Sequence, residues 1–326
     1  MKRSRRGAAV IGVAALVLTA CTGKSATPAP RTVFVTTTPS KTVSTSTAGS
    51  TASARVTAPT TKSSVPLGRP IGVSSAEDDG KTYGVGMPLI IRFSASPTSK
   101  VAFERAAKVT VNGRPIVGAW FWEKVLAGKP LEAHYRPQHP YWPAHSVINV
   151  ALPLVGLSAG TGLSFSNNLT LNYKIGAYHV SRVDARTLRM TVYGDTGRAV
   201  RVMKVSLGKK KTPTQSGVKV VMEKDNPAHM TGDRADPYHV VVPNAVRMSQ
   251  DGEYVHPAPW NHSIGKLSLS HGCTNLSVAD GAWFYRFSQV GDVVEYPDAD
   301  GSVMPTWDGY GDWNPNWSVW KAGGAL

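Results

Sequence analysis

Cysteine is nearly absent from these 326 residues: there are two, Cys21 and Cys273. A chain with one thiol beyond its first twenty-one residues has no internal disulfide framework there and no multi-cysteine metal site. Long hydrophobic runs are missing too. The apolar stretch from Ala8 to Leu18 is too short to cross a bilayer as a mature helix. Acids are scarce, with 21 Asp and Glu against 36 Lys and Arg, and the formal net charge is +15. Four of those positives lie between Lys2 and Arg6, which leaves +11 for the remainder. Such a balance serves solubility or attraction to an anionic cell envelope.

What is present at the N-terminus argues for export. Lys2, Arg3, Arg5 and Arg6 precede the apolar run, and Leu18-Thr19-Ala20-Cys21 follows it, the pattern of a secretory signal. The last four residues resemble the lipobox of bacterial lipoproteins, which implies a signal peptide over 1–21 with a lipid on Cys21. The expected location is the outer face of the plasma membrane, in the periplasm or cell wall, with the membrane as a partner through that lipid. A lipidated Cys21 cannot pair, so Cys273 stays a free thiol. Export disfavours nucleic acid as a partner, and Lys209-Lys210-Lys211 reads as a solvated loop beside Thr212-Pro213-Thr214.

Residues 22–66 are Ser, Thr, Ala and Pro with scattered bases, and Phe34 is their one aromatic. This composition buries too little surface to fold and reads as a tether. From 67 to 173, short alternating runs separated by turns predict strands at Pro88–Phe93, Lys108–Val111, Ala119–Trp122, Ser146–Val150 and Leu169–Tyr173. Asn112-Gly113 is a hairpin signal. Evenly spaced short strands suggest an immunoglobulin-like β-sandwich. Trp120, Phe121 and Trp122 fit core packing better than sugar binding. From 174 to 298 the pattern restarts with strands near Tyr178–Val180, Thr187–Tyr193, Ala199–Leu207 and Gly217–Met222. Residues 223–245 read as a long irregular connection, a lid. Ser277 caps a short helix with Trp283, Phe284 and Phe287 on its apolar face. Residues 299–326 form a Trp-rich extension. The fold class expected is all-β: an N-terminal sandwich, then a second β-sandwich with one short helix.

Chemistry concentrates in Ser270-His271-Gly272-Cys273-Thr274-Asn275 and in His256-Pro257-Ala258-Pro259-Trp260 upstream. A free thiol, with a pKa of about 8.5, is mostly protonated at neutral pH and needs a base. Two histidines qualify. His271, two places before Cys273, shares its face if the segment is extended. His256, seventeen positions upstream, needs a neighbouring strand or loop to bring it alongside. Gly272 permits close backbone approach to an oxyanion, where one donor is worth about 3 kcal/mol. Zinc binding by His256, His262, His271 and Cys273 fits no usual structural spacing. Neither a metal nor a cofactor is expected.

These residues carry a resemblance. The upstream His and the Ser-His-Gly-Cys-x-Asn run resemble the catalytic domain of L,D-transpeptidases (the YkuD type). The preceding sandwich and the tail Asp308-Gly309-Tyr310-Gly311-Asp312-Trp313, with Trp317 and Trp320 behind it, are similar to the mycobacterial and actinobacterial members. The resemblance implies a transferase that builds 3→3 cross-links between peptidoglycan tetrapeptide stems, donor and acceptor, through a thioester on Cys273. It implies His256 as base, with His271, Gly272 and Cys273 shaping the oxyanion hole. It places Asn275, Ser270, Trp260 and Tyr238 at the substrate, the last on the lid, and makes carbapenem-type β-lactams expected inhibitors. Pro257 stands where close relatives have serine. The carbonyl thought to orient the histidine survives that change. Alternatives are an L,D-carboxypeptidase or other cysteine acyl hydrolase of the wall, and a non-catalytic wall-binding lipoprotein.

Overall fold

The computed structural model describes residues 68–326 apart from 233 and 235. The signal peptide, Cys21 and the tether therefore lie outside the described residues.

Alternation of apolar and polar side chains builds the first sandwich. Val73–Ser75, Leu89–Phe93, Glu132–Pro137 and Gly118–Glu123 form one antiparallel sheet. A second holds Thr82–Tyr83, Leu169–Ile175, Val147–Leu152, Lys108–Val111 and Arg114–Pro115. The hairpin at Asn112-Gly113 forms, with both residues at positive φ. Trp120 and Trp122 point into the core and contact Phe103 at 5.0 and 5.2 Å. Phe121, between them, faces the other way, as period-2 geometry requires, and stacks on Trp320 at 4.8 Å.

That outer contact gives the Trp-rich tail its place. Trp313 Nε1–H donates to the Gly86 carbonyl and Trp320 Nε1–H to that of Ala119. Arg136 lies over Trp313, Trp317 and Trp320 and donates to Pro315 O at 2.7 Å. At its other end the tail reaches the second half of the fold: Asp308 accepts from the Asp251 amide and from Gln215 Nε2. The larger core also runs across the boundary, since Val180, Val220 and Val293 pack with the sandwich residues.

The second half has a five-stranded sheet in the order Ala199–Lys204, Arg189–Tyr193, Val180–Asp184, Val293–Tyr296, Gly217–Val220. Beside it lies a four-stranded sheet of Glu223–Asp225, Ala245–Arg247, Tyr254–Pro257 and Thr274–Leu276. The helix Val278–Phe287 starts at Ser277, whose hydroxyl accepts the Asp280 amide. It backs the strand that carries His256. Gly281 is required there, because a Cβ would sit 2.7 Å from Pro257 Cδ. Of its expected apolar face, Phe284 is buried, while Trp283 and Phe287 stack half-exposed at 4.7 Å.

Two expectations are corrected. The stretch 223–245 is not irregular: Ala228–Thr231 and His239–Val242 pair as an antiparallel hairpin with a small core of Ala228, Met230, Val242 and Ala245. Its short strands are cut by Gly232 and Pro237, and the second, His239–Val242, carries Val241 on its exposed side, so no clean alternation marks it among the turn residues. The strand near Tyr178 begins instead at Val180, because the Tyr178 amide is taken by Asp195 Oδ1.

Candidate active site

Parallel pairing brings the two motifs together. Tyr254–Pro257 lies beside Thr274–Leu276 in the register Val255↔Thr274, His256↔Asn275, Pro257↔Leu276. The seventeen-residue separation is thus closed by neighbouring strands, and Cys273 falls just before the pairing begins. A cleft of about 600 Å³ opens over this junction, lined among others by Tyr238, His256, Trp260, His271, Cys273 and Asn275.

His256 is 3% exposed. Its Nδ1 lies 2.8 Å from the Pro257 carbonyl oxygen, the contact that a proline at this position preserves. Its Nε2 lies 3.0 Å from Asn275 Nδ2. An amide nitrogen only donates and a carbonyl only accepts, so the proton sits on Nδ1 and Nε2 carries the lone pair. Burial pushes the imidazole below its ordinary range, against the pull of the Pro257 carbonyl. The ring is therefore a neutral base at pH 7.

Cys273 is a free, buried thiol at the cleft wall. Burial pushes it up to about 12. The Tyr254 amide pulls it down, Glu253 pushes it further up, and Lys219 pulls it down. Its Sγ–H donates to the Gly252 carbonyl at 3.7 Å. No hydrogen bond joins sulfur to His256 among the described residues, so the dyad expected from the sequence is not closed here. Each partner is engaged elsewhere, sulfur by Gly252 and Nε2 by Asn275. A buried thiol beside a neutral ring has no reason to ionise until an electrophile arrives.

The loop between Ser270 and Cys273 is bent rather than extended, with Gly272 at φ +116°. Residues 271 and 273 do not share a face as an extended segment would have it. His271 points to the turn of the 228–242 hairpin, its Nε2 2.9 Å from Lys209 Nζ and 3.1 Å from Asp236 Oδ2, and Tyr238 lies over its ring at 4.6 Å. Lys209 closes this cluster on Asp236 at 2.6 Å, so it is not the solvated residue its basic run suggests. The Ser270 hydroxyl is used inside the loop: it donates to Cys273 O at 2.6 Å and accepts the Gly272 amide at 3.2 Å. Ser270, which also lines the cleft, thereby locks the loop, and the Gly272 N–H is occupied. Thr214, buried below, donates to the Gly272 carbonyl at 2.7 Å. Trp260 is half-exposed on the cleft rim, its ring centroid 6.1 Å from that of His256.

Sequence reasoning missed several residues here. Lys219 and Glu253 form an ion pair beneath the nucleophile loop, the lysine 1% exposed. Burial pulls the lysine down and pushes the glutamate up, each opposed by its partner. A Cβ on Gly272 would sit 3.4 Å from the Glu253 carboxylate, an ordinary contact, so this loop needs glycine for its φ of +116° rather than for space. Asn261 lines the cleft and holds Asn275. A lysine between Val218 and Val220 is the one local signal. The acid that neutralises it lies 34 positions away.

The sequence profile of the L,D-transpeptidase catalytic domain matches residues 179–295, and that of a bacterial Ig domain matches 35–158. L,D-transpeptidase 2 of Mycobacterium tuberculosis is 34% identical over 257 residues, 76% of this chain and 60% of that one. L,D-transpeptidase 5 is 31% identical over 259 residues, 76% of this chain and 55% of that one. The chain thus spans less than two thirds of the length of these two relatives. L,D-transpeptidase 1 of the same organism is 30% identical over 244 residues, covering 71% of this chain and 87% of that one. In structure, LD transpeptidase LdtMt1 in complex with imipenem matches with TM-score 0.59 at 28% identity, over 71% of this chain and 99% of that one. An L,D-transpeptidase from Mycobacterium smegmatis matches with TM-score 0.56 at 28% identity, over 70% and 99%.

Proposed function

Since this chain belongs to the L,D-transpeptidase family, we propose that it cross-links peptidoglycan by acyl transfer through Cys273. The donor is a tetrapeptide stem and the acceptor the side-chain amine of a neighbouring stem's third residue. His256 Nε2 takes the Cys273 proton as sulfur attacks the carbonyl between the third residue and the terminal D-alanine. The C–N bond breaks, and His256 returns the proton to the departing amine. The acceptor amine then attacks the thioester carbonyl, its proton passes through His256, and the thiol is restored. A 3→3 cross-link results. The lid hairpin and Trp260 flank the stem and keep water from the thioester.

One observation carries this reading. A neutral imidazole with its lone pair on Nε2 and a lone thiol line the same cleft. Closing the dyad requires only that Nε2 exchange the Asn275 amide for the thiol as substrate enters. Binding of carbapenem-type β-lactams is part of the same proposal, supported by the imipenem complex of the similar enzyme.

Mass spectrometry of purified protein with imipenem and with a tetrapeptide substrate tests it. Cys273→Ala is expected to keep the fold and lose both adduct and cross-link. His256→Ala is expected to slow acylation by at least ~100-fold, the scale of a lost general base. A Cys273→Ala protein that still cross-links sinks the scheme.

The site of action proposed is the cell wall, reached from a lipid on Cys21 through the Ser/Thr/Pro-rich segment 22–66. Leu18-Thr19-Ala20-Cys21 supports the anchor. Fractionation checks it: Cys21→Ala is expected to move the protein out of the membrane pellet, and an unchanged distribution removes the anchor from the account.

A further inference from the structure

Asn261 sits at the end of a chain of hydrogen bonds that terminates on the catalytic base. Its Oδ1 accepts the Ser263 amide at 3.0 Å. A backbone N–H cannot accept, so this bond fixes which end of the Asn261 amide is oxygen. Its Nδ2 must then point the other way, and it meets Asn275 Oδ1 at 3.0 Å. With its oxygen held there, Asn275 presents Nδ2 to His256 Nε2 at 3.0 Å. The Pro257 carbonyl already claims the Nδ1 proton. Each amide in the series is oriented by the one before it, and the series starts from a backbone donor that cannot be reversed.

We propose that Asn261 is a positioning residue: with the Nδ1 proton held by Pro257, it acts through Asn275 to keep His256 Nε2 unprotonated and ready to receive the Cys273 proton. The residue acts two hydrogen bonds from the ring and needs no contact with substrate. The loop around it is shaped for the task, since the Asn261 amide also donates to the Ala258 carbonyl at 3.0 Å. Both ends of residues 258–263 are thereby pinned. Asn275 is held equally firmly, its backbone paired with Ser206 in both directions at 2.8 and 3.0 Å. Only the side-chain amide of Asn275 is free to turn over, and Asn261 is what stops it.

Replacing Asn261 by aspartate makes a sharp test. One carboxylate oxygen still accepts the Ser263 amide. The other faces Asn275 Oδ1, acceptor against acceptor, and the Asn275 amide is driven to reverse. Its oxygen then faces Nε2 and demands a proton there. With Nδ1–H still bound to Pro257, the ring becomes imidazolium and loses its lone pair. Asn261→Ala removes the restraint without imposing the reverse, so Asn275 samples both orientations.

Nitrogen-15 NMR of the His256 side chain in the full chain, near neutral pH, reads this directly. In the unmodified protein, Nδ1 is expected as the protonated, pyrrole-type nitrogen and Nε2 as the bare, pyridine-type one. Asn261→Asp is expected to shift Nε2 to the protonated position, and Asn261→Ala to an intermediate one. The rate of imipenem acylation at neutral pH falls by about 10- to 100-fold in Asn261→Asp, the scale of a mispositioned catalytic group. Its acidic limb moves to higher pH, which a mere loosening of the loop does not cause. Nitrogen shifts that stay as in the unmodified protein in both variants overturn the proposal. The inference rests on His256 as the base, but the tautomer is read without turnover. An unmodified protein that shows no acylation therefore sinks the proposed activity and leaves the tautomer result to be judged on its own.

Discussion

His134 in the immunoglobulin-like half and His256 in the catalytic half are buried to nearly the same degree, 1% and 3% exposed. The first lies between two carboxylates, with Nδ1 2.6 Å from Asp312 Oδ1 and Nε2 3.2 Å from Glu132 Oε2. Burial opposes its charge, yet Asp312 and Glu132 hold it up to about 10. The second faces one carbonyl and one amide, and burial pushes it down. The partner's charge, not the depth of burial, decides what a buried imidazole becomes. Beside acids it is a permanent cation that fastens the tail to the sandwich. Beside neutral dipoles it is a base with a lone pair to offer. The same contrast sets the Lys219–Glu253 pair, a fixed dipole under the nucleophile loop, against the neutral thiol above it.

Removing the charge from His134's partner attacks the first half of this comparison and has the largest expected effect on stability. Asp312→Asn keeps the shape and leaves His134 with Glu132 alone. Breaking a buried pair from one side typically costs 3–5 kcal/mol, and with Glu132 retained about 3 kcal/mol is expected. Urea unfolding followed by tryptophan fluorescence measures it. The imipenem acylation rate of the folded variant is expected to stay as in the unmodified protein, because neither residue lines the cleft. A loss under about 1 kcal/mol, near what an exposed pair gives, shows that His134 is not held as a cation and dissolves the contrast.

The same contrast explains what could be read from the sequence. Strands, hairpin and helix cap were legible because period-2 alternation, Asn112-Gly113 and Ser277 are local signals. So were Cys273 and His256, whose residue types announce their chemistry. The lid hairpin was not, since Gly232 and Pro237 mask strands of four residues each. The pairing of Asp312, and that of Lys219 with Glu253, could not be read from the sequence, because the partners lie 178 and 34 positions away. Asn261 had no signal at all. Its meaning depends on a register between strands, His256 opposite Asn275, that no spacing encodes. Ser270 was legible as a site residue, but its hydroxyl serves the loop's own backbone, a distinction only the bend at Gly272 reveals.

The smaller and sharper test concerns charge states across pH. Cys273 prefers the neutral form when folded, about 12 against 8.5–9 for an open thiol. Its contribution to stability is complete below pH 8.5 and is lost as pH rises toward 12, because the unfolded chain releases that proton first. The difference in unfolding free energy between the unmodified protein and Cys273→Ser is therefore flat from pH 7 to 8. Above pH 9 it falls by at most about 1.4 kcal/mol per pH unit. His134 behaves differently, for its charged form is the favoured one. The difference between the unmodified protein and Asp312→Asn is complete below about pH 6.5 and fades as pH rises through about 10. The two difference curves thus both decline in alkali, but the first begins from a neutral group that must ionise and the second from a cation that must discharge. His256 cancels from both of these differences and shows in a third, the unmodified protein against His256→Gln: the unfolded chain takes up the imidazole proton first below about pH 6.5, where His134 is charged in both states. That third difference should fall as pH drops below about 6.5, while the His134 curve stays flat there. A His256→Gln difference that instead grows as pH drops would mean that the cleft holds the imidazole as a cation, and the base assigned to it would have no lone pair to use.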